Sequence, residues 1–160
     1  MAAGAKIAGQ VDIGGRSAAR FGAVQALYQM DLTRCDVADT LEQFATSRLG
    51  EALQDGQCGP ADMTFLTELV KGVVREQCRL DPELNAHLAK GWTLARLDST
   101  LRAILRSAAY EIVVRPDIPA RVVINEYLDL THAFFDSEEP GFVNGVLDRL
   151  AHDHRAEEFA

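Results

Sequence analysis

The chain has 160 residues, 48% of them hydrophobic and 25% charged, which suits one domain or two small packed subdomains with a real core. No apolar run approaches the ~20 residues of a membrane helix, and a net charge of −8 argues against a stand-alone nucleic-acid binder with a basic face. Cys35, Cys58 and Cys78 lie far apart with no C-x-x-C pair, so neither a disulfide framework nor a zinc knuckle is expected, and free thiols point to the cytoplasm.

Residues 1–15 are rich in Ala and Gly, with only Lys6 and Asp12 charged. They lack the continuous apolar stretch of a signal peptide and read as a flexible N-terminal tail. From there on, helical periodicity dominates. Helices are predicted over 16–32, 37–50, 61–78, 82–90, 98–114, 119–135 and 139–152, about seven in all. The first carries Phe21, Val24 and Tyr28. The third carries Leu66, Leu69, Val70, Val73 and Val74, with Cys78 continuing the stripe. Leu97, Leu101, Ile104, Leu105, Ala108 and Ile112 form the next. Val123, Tyr127, Leu130, Thr131 and Phe134 form another, and Val143, Val146, Leu147 and Leu150 the last. Steps of three and four residues place each series on one helix face.

Start signals accompany the stripes. Asp81-Pro82 reads as a cap followed by proline at a first helical position. Asp98 precedes the Leu101 helix as a cap. Pro116 and Pro119 break and restart the chain. Ser137 is placed to cap the last helix, with Glu138 and Glu139 at its positive end. The stretch 51–60, with Gly56, Gly59 and Pro60, is the most loop-like. The fold class is therefore all-α.

The chemistry of most enzymes is missing. Neither G-x-x-x-x-G-K-[ST] nor G-x-G-x-x-G occurs. His152 and His154 are two apart, so on a helix they diverge and make a poor metal pair. Glu126 and Asp129, three apart, have the spacing of paired carboxylates, but a solvated charged face is the commoner meaning of that pattern. No nucleophile with a base and an orienting group is present. No catalytic residue, cofactor or metal is expected.

Three segments carry a resemblance: RSAARFGAVQALYQMDL from Arg16, FLTELVKGV from Phe65, and 97–150 with LRAILRSAAYEI, IPARVVINEYLDL and GFVNGVLDRL. Together they resemble the NusB family of bacterial transcription antitermination factors. The resemblance implies one NusB-like domain over 16–153 in two packed helical subdomains, about 16–78 and 80–153, followed by a C-terminal tail, 154–160. It also implies a role: binding the boxA element of nascent ribosomal or phage RNA together with NusE, a small-subunit ribosomal protein, in an antitermination complex with RNA polymerase. Homodimerisation is open.

The candidate RNA-binding residues are Arg16, Ser17, Arg20, Glu138 and Phe142. Arg16 and Arg20 share a helix face within a locally basic stretch, where Lys6, Arg16 and Arg20 outnumber Asp12. Family members often have a denser arginine cluster here. Two arginines suit two phosphate contacts or stacking on bases, the start of a helix adds N–H groups, and Ser17 adds a hydroxyl. The alternative is an ordinary solvated helix start. The resemblance suggests that the loop holding Glu138, and Phe142 beyond it, flank the RNA. Phe142 either stacks an unpaired base or packs with Val146 and Leu150. Glu138 either repels RNA or accepts from a base amino group. Asn144 reads as a buried polar group and Gly145 as a point of close helix approach.

Two rivals remain. One is a helical protein-interaction module without useful RNA affinity, favoured by the acidic charge and thin arginine cluster. The other is an enzyme, since some RNA methyltransferases carry a NusB-like N-terminal domain. The absence of a glycine-rich cofactor loop and a catalytic cysteine motif speaks against it.

Overall fold

The computed structural model describes residues 2–45 and 60–160, and among them the chain is helical with no strand. Among the described residues six α-helices carry the fold, in keeping with the about seven expected: α1 (Ala2–Thr33), α2 (Val37–Ala45), α3 (Pro60–Ala86), α4 (Ser99–Val114), α5 (Ala120–Phe134) and α6 (Glu139–His154). Short 3₁₀ turns cover Leu94–Arg96 and Ala156–Phe159. The expected end of the second helix, 46–50, and most of the expected loop at 51–60 lie outside the described residues.

The chain divides into two compact units, Met1–Lys71 and Gly72–Ala160. In the first, α1 packs on α2. α1 starts at Ala2 rather than at 16, so the segment expected as a tail is helical in the structure. Arg34, with φ 61°, ends the helix in the left-handed region, and its N–H reaches the Met30 carbonyl at 2.9 Å. Asp36 then starts α2 by accepting from the Asp39 N–H at 2.8 Å. Ala19, Ala23, Val24, Ala26 and Leu27 are buried on one side, and Phe65, Leu66, Leu69 and Val70 on the other. Tyr28, placed on the apolar stripe by periodicity, is 37% exposed.

α3 joins two expected helices, and the helix start predicted at Asp81-Pro82 is absent. Pro82 sits inside the helix. A proline there cannot donate to the carbonyl four residues back and crowds it. Packing outweighs that cost: Leu80 and Leu84, flanking Pro82, are completely buried. Asp81 serves another purpose, gripping Arg106 of α4 through both carboxylate oxygens at 3.0 and 2.8 Å. The buried stripe drifts away from Val74 and Cys78, which are exposed, and continues through Val73, Leu80 and Leu84.

In the second unit α4, α5 and α6 pack against one another. The predicted stripes of α4 and α6 are buried, apart from half-buried Leu97, and that of α5 is buried up to Phe134, which is 37% exposed. Asp98 caps α4 as expected, accepting from the N–H groups of Thr100 at 2.8 Å and Leu101 at 3.3 Å. Ser137 does not cap α6. Glu138 holds that position without a side-chain bond, and the Ser137 hydroxyl faces Glu139 instead. A buried polar chain ties α5 to α4: the Tyr127 hydroxyl meets Glu111 at 2.5 Å and Ser107 at 2.7 Å. Close helix approach occurs at Gly72, not Gly145. A Cβ on Gly72 would lie 2.2 Å from the buried Tyr110 ring, whereas one on Gly145 would meet the flexible Arg149 guanidinium at 3.3 Å. Asn144, expected to be buried, is exposed.

The residues expected as a C-terminal tail are folded. Arg155 is 3% exposed, and its guanidinium donates to the carbonyls of Glu111, Ile112, Arg115 and Ile118 between 2.7 and 3.1 Å. It thereby satisfies the open C-terminal end of α4 with a positive charge. Glu158 joins the same knot. It accepts from Arg155 at 2.5 Å and from the first N–H of α5, on Ala120, at 2.8 Å. The Ala120 N–H, and then Arg155, hold the Glu158 carboxyl below its usual range.

Candidate nucleic-acid interface

The candidate residues fall into two groups, one in each unit. The first lies on α1. Arg16 is exposed, Ser17 half-buried, and Arg20 only 2% exposed. Both guanidiniums sit over the ring of Phe65 on α3, at 5.1 and 5.3 Å from its centre. The four-residue spacing puts the two arginines on one face, as the sequence predicts, and that face turns Arg20 inward over an aromatic anchor. The pair is therefore unequal. Arg16 offers its charge to solvent, while Arg20 is a packed support beneath it. Because α1 starts at Ala2, Arg16 lies deep in the helix and not at its N-terminus. The free N–H groups expected beside it are engaged in helix bonds.

The second group lies at the start of α6. Glu138 is exposed, Phe142 is half-buried, and the Phe142 N–H donates to the Glu138 carbonyl at 3.1 Å. One helical turn thus brings the two together. Val146 and Leu150 are buried, so Phe142 stands where the apolar stripe surfaces. Its half-buried side chain accommodates both readings of the sequence.

Periodicity gave no hint of a third aromatic. Trp92, the sole tryptophan, is 46% exposed in the turn after α3, with Arg96 over its ring at 5.1 Å. A lone tryptophan between Gly91 and Thr93, flanked by Lys90 and Arg96, was the available signal.

The two C-terminal histidines are engaged structurally. His152 stacks on Phe159, with ring centres 4.0 Å apart, and His154 meets Glu83 at 2.9 Å. Glu126 is half-buried and Asp129 exposed. Among the described residues no group of three or more side chains is arranged to hold a metal, and no helix is long and apolar enough to cross a membrane.

Residues 17–152 match the model of the NusB family. A transcription antitermination protein NusB from Rhodopseudomonas palustris is 49% identical over 142 residues, covering 89% of this chain and 82% of the relative. The chain belongs to the NusB family. It is a transcription antitermination factor and not an enzyme. Solved NusB structures share its fold. That from T. maritima has a TM-score of 0.74 at 27% identity, covering 90% of this chain and 96% of the other. A complex of the antitermination factors NusB and NusE with double-stranded RNA contains a chain alike in fold, with a TM-score of 0.70 at 24% identity, covering 86% of this chain and 96% of that one. The NusB family model spans both candidate groups, apart from Arg16 just before its first residue.

Proposed function

We propose that this NusB-family chain works in the cytoplasm by binding boxA RNA together with NusE, within an antitermination complex formed on RNA polymerase. Near full-length similarity to antitermination proteins carries the reading. Arg16 supplies the phosphate contact on α1, with Ser17 beside it and Arg20 fixing its position through the shared stack on Phe65. Glu138 and Phe142 form the second contact, with the exposed part of the phenyl ring stacking a base and the carboxylate accepting from a base amino group. NusE supplies positive charge that this acidic chain lacks.

Arg16→Ala tests the division of labour between the arginines. It is expected to weaken boxA binding by roughly 1 kcal/mol or more and leave both the melting temperature and NusE binding unchanged. Arg20→Ala is expected to lower both RNA affinity and thermal stability. The burial of Arg20 also favours a second reading, a helical interaction module with no useful RNA affinity of its own. Unchanged RNA binding in Arg16→Ala, with NusE binding intact, would favour that module.

A further inference from the structure

The turn after α3 is built to hold an aromatic side chain in solvent. Gly91, with φ 89°, makes the bend. On one side, the His87 carbonyl accepts from Arg149 of α6 at 2.7 Å. On the other, the Leu94 N–H is bonded to the Asn85 side chain at 2.8 Å, and Arg102 ties down the Leu94 and Leu97 carbonyls at 3.0 Å each. Leu94 is 2% exposed and anchors the segment. Trp92 stands between these fixed points and remains 46% exposed. Arg96 bonds to the Gly91 carbonyl and lies over the indole. Burial is the common fate of so large an aromatic; here the backbone is immobilised and the ring left out.

Within residues 88–98 two cations, Lys90 and Arg96, outnumber one acid, Asp98. Both cations are exposed, and Asp98 is occupied in capping α4. Asp153 is engaged by His87 at 2.8 Å and Glu83 by His154 at 2.9 Å. A cationic, aromatic, immobile turn matches the stacking sites that single-stranded nucleic acids use.

The same turn is joined to the helix that carries Phe142. Phe142, Gly145 and Arg149 are spaced three and four apart and share one face of α6. Gly145, having no side chain, lets the Arg149 guanidinium lie over it on the way to the His87 carbonyl, so the cation sits on the same face as the aromatic ring. At ~1.5 Å per residue the helix rises about 10 Å from Phe142 to Arg149.

We propose that Lys90, Trp92 and Arg96 form a second stacking platform for single-stranded RNA, reached from Phe142 along the Gly145–Arg149 face of α6. It would bind nucleotides flanking boxA. The proposal rests on the RNA-binding reading above, and goes beyond it in lengthening the RNA footprint.

Trp92 is the chain's only tryptophan, so its fluorescence reports on the platform directly. The experiment titrates the chain, in the presence of NusE, with boxA RNA and with boxA extended by a few unpaired nucleotides at one end or the other. Trp92→Phe serves as the emission blank. One extended RNA is expected to quench Trp92 and to bind several-fold tighter than boxA alone. Trp92→Ala should abolish that gain, roughly tenfold for one stacked base, and leave boxA affinity unchanged. Trp92→Phe should retain most of it, which covers the case in which alanine disturbs the turn. Arg16→Ala should weaken all the RNAs alike. If boxA binds but neither extension binds tighter or quenches Trp92, the platform is wrong and the RNA-binding reading stands. If NusE alone quenches Trp92, the turn is a protein contact and the proposal fails. If no RNA binds even with NusE, both fail.

Discussion

Arg155 shows how much a single side chain near the end of the chain can govern. Its guanidinium makes five hydrogen bonds, four to carbonyls around the end of α4 and one to Glu158. Removing it leaves buried acceptors without partners, which costs more than the bonds themselves contribute. Arg155→Ala is therefore expected to destabilise the protein by about 3 kcal/mol or more, read as a shift in the urea midpoint. A shift below roughly 1 kcal/mol would mean that water replaces the guanidinium. Glu158 adds a pH dependence. Its carboxyl is held below its usual range by the Ala120 N–H and by Arg155. Its contribution is thus fully present above the unfolded-state value, near 4.5, and fades as pH falls through the lower folded-state value. Glu158→Gln is expected to lower stability at neutral pH and to flatten the loss on acidification. Stability curves that run parallel to wild type from pH 7 to pH 3 would contradict the assignment. Neither residue stood out in the sequence, because no apolar stripe runs past Leu150 and a polar end reads as a tail.

At the scale of the helices, periodicity located the buried faces well and their ends less well. The stripes of α4 and α6 hold because each is one short run between clear stops, with Asp98 capping α4. α3 defeated the same reasoning. Asp81-Pro82 has the local chemistry of a start, yet Leu80 and Leu84 on either side are both completely buried, so tertiary packing carries the helix through the proline. Pro82→Ala restores a donor to the Cys78 carbonyl and should stabilise the protein by about 1 kcal/mol, less than the ~3 kcal/mol cost of an unrelaxed interior proline. Thermal melts would decide. A lower melting temperature would mean that Pro82 is adapted to a real break in α3. Site residues were less legible than helices, for a physical reason. Four-residue spacing tells that Arg16 and Arg20 share a face, but only the position of Phe65, on a helix far along the chain, tells which arginine is buried. Trp92 escaped notice because a lone exposed aromatic in a turn has no period.

For the whole molecule, charge frames the mechanism. In a chain of net charge −8, the cations assigned to RNA are few: Arg16 on α1, and Lys90 and Arg96 in the turn after α3. Phosphate contacts dominate affinity for RNA, and each released counterion steepens its salt dependence. A scaffold with so few of them needs a basic partner to bind RNA tightly. Titration of labelled boxA RNA with this chain, with and without NusE, tests that claim most directly. Weak, shallowly salt-dependent binding alone is predicted, rising by at least tenfold and becoming steeper in salt when NusE is present. Equal affinity and equal salt dependence in the two titrations would contradict it.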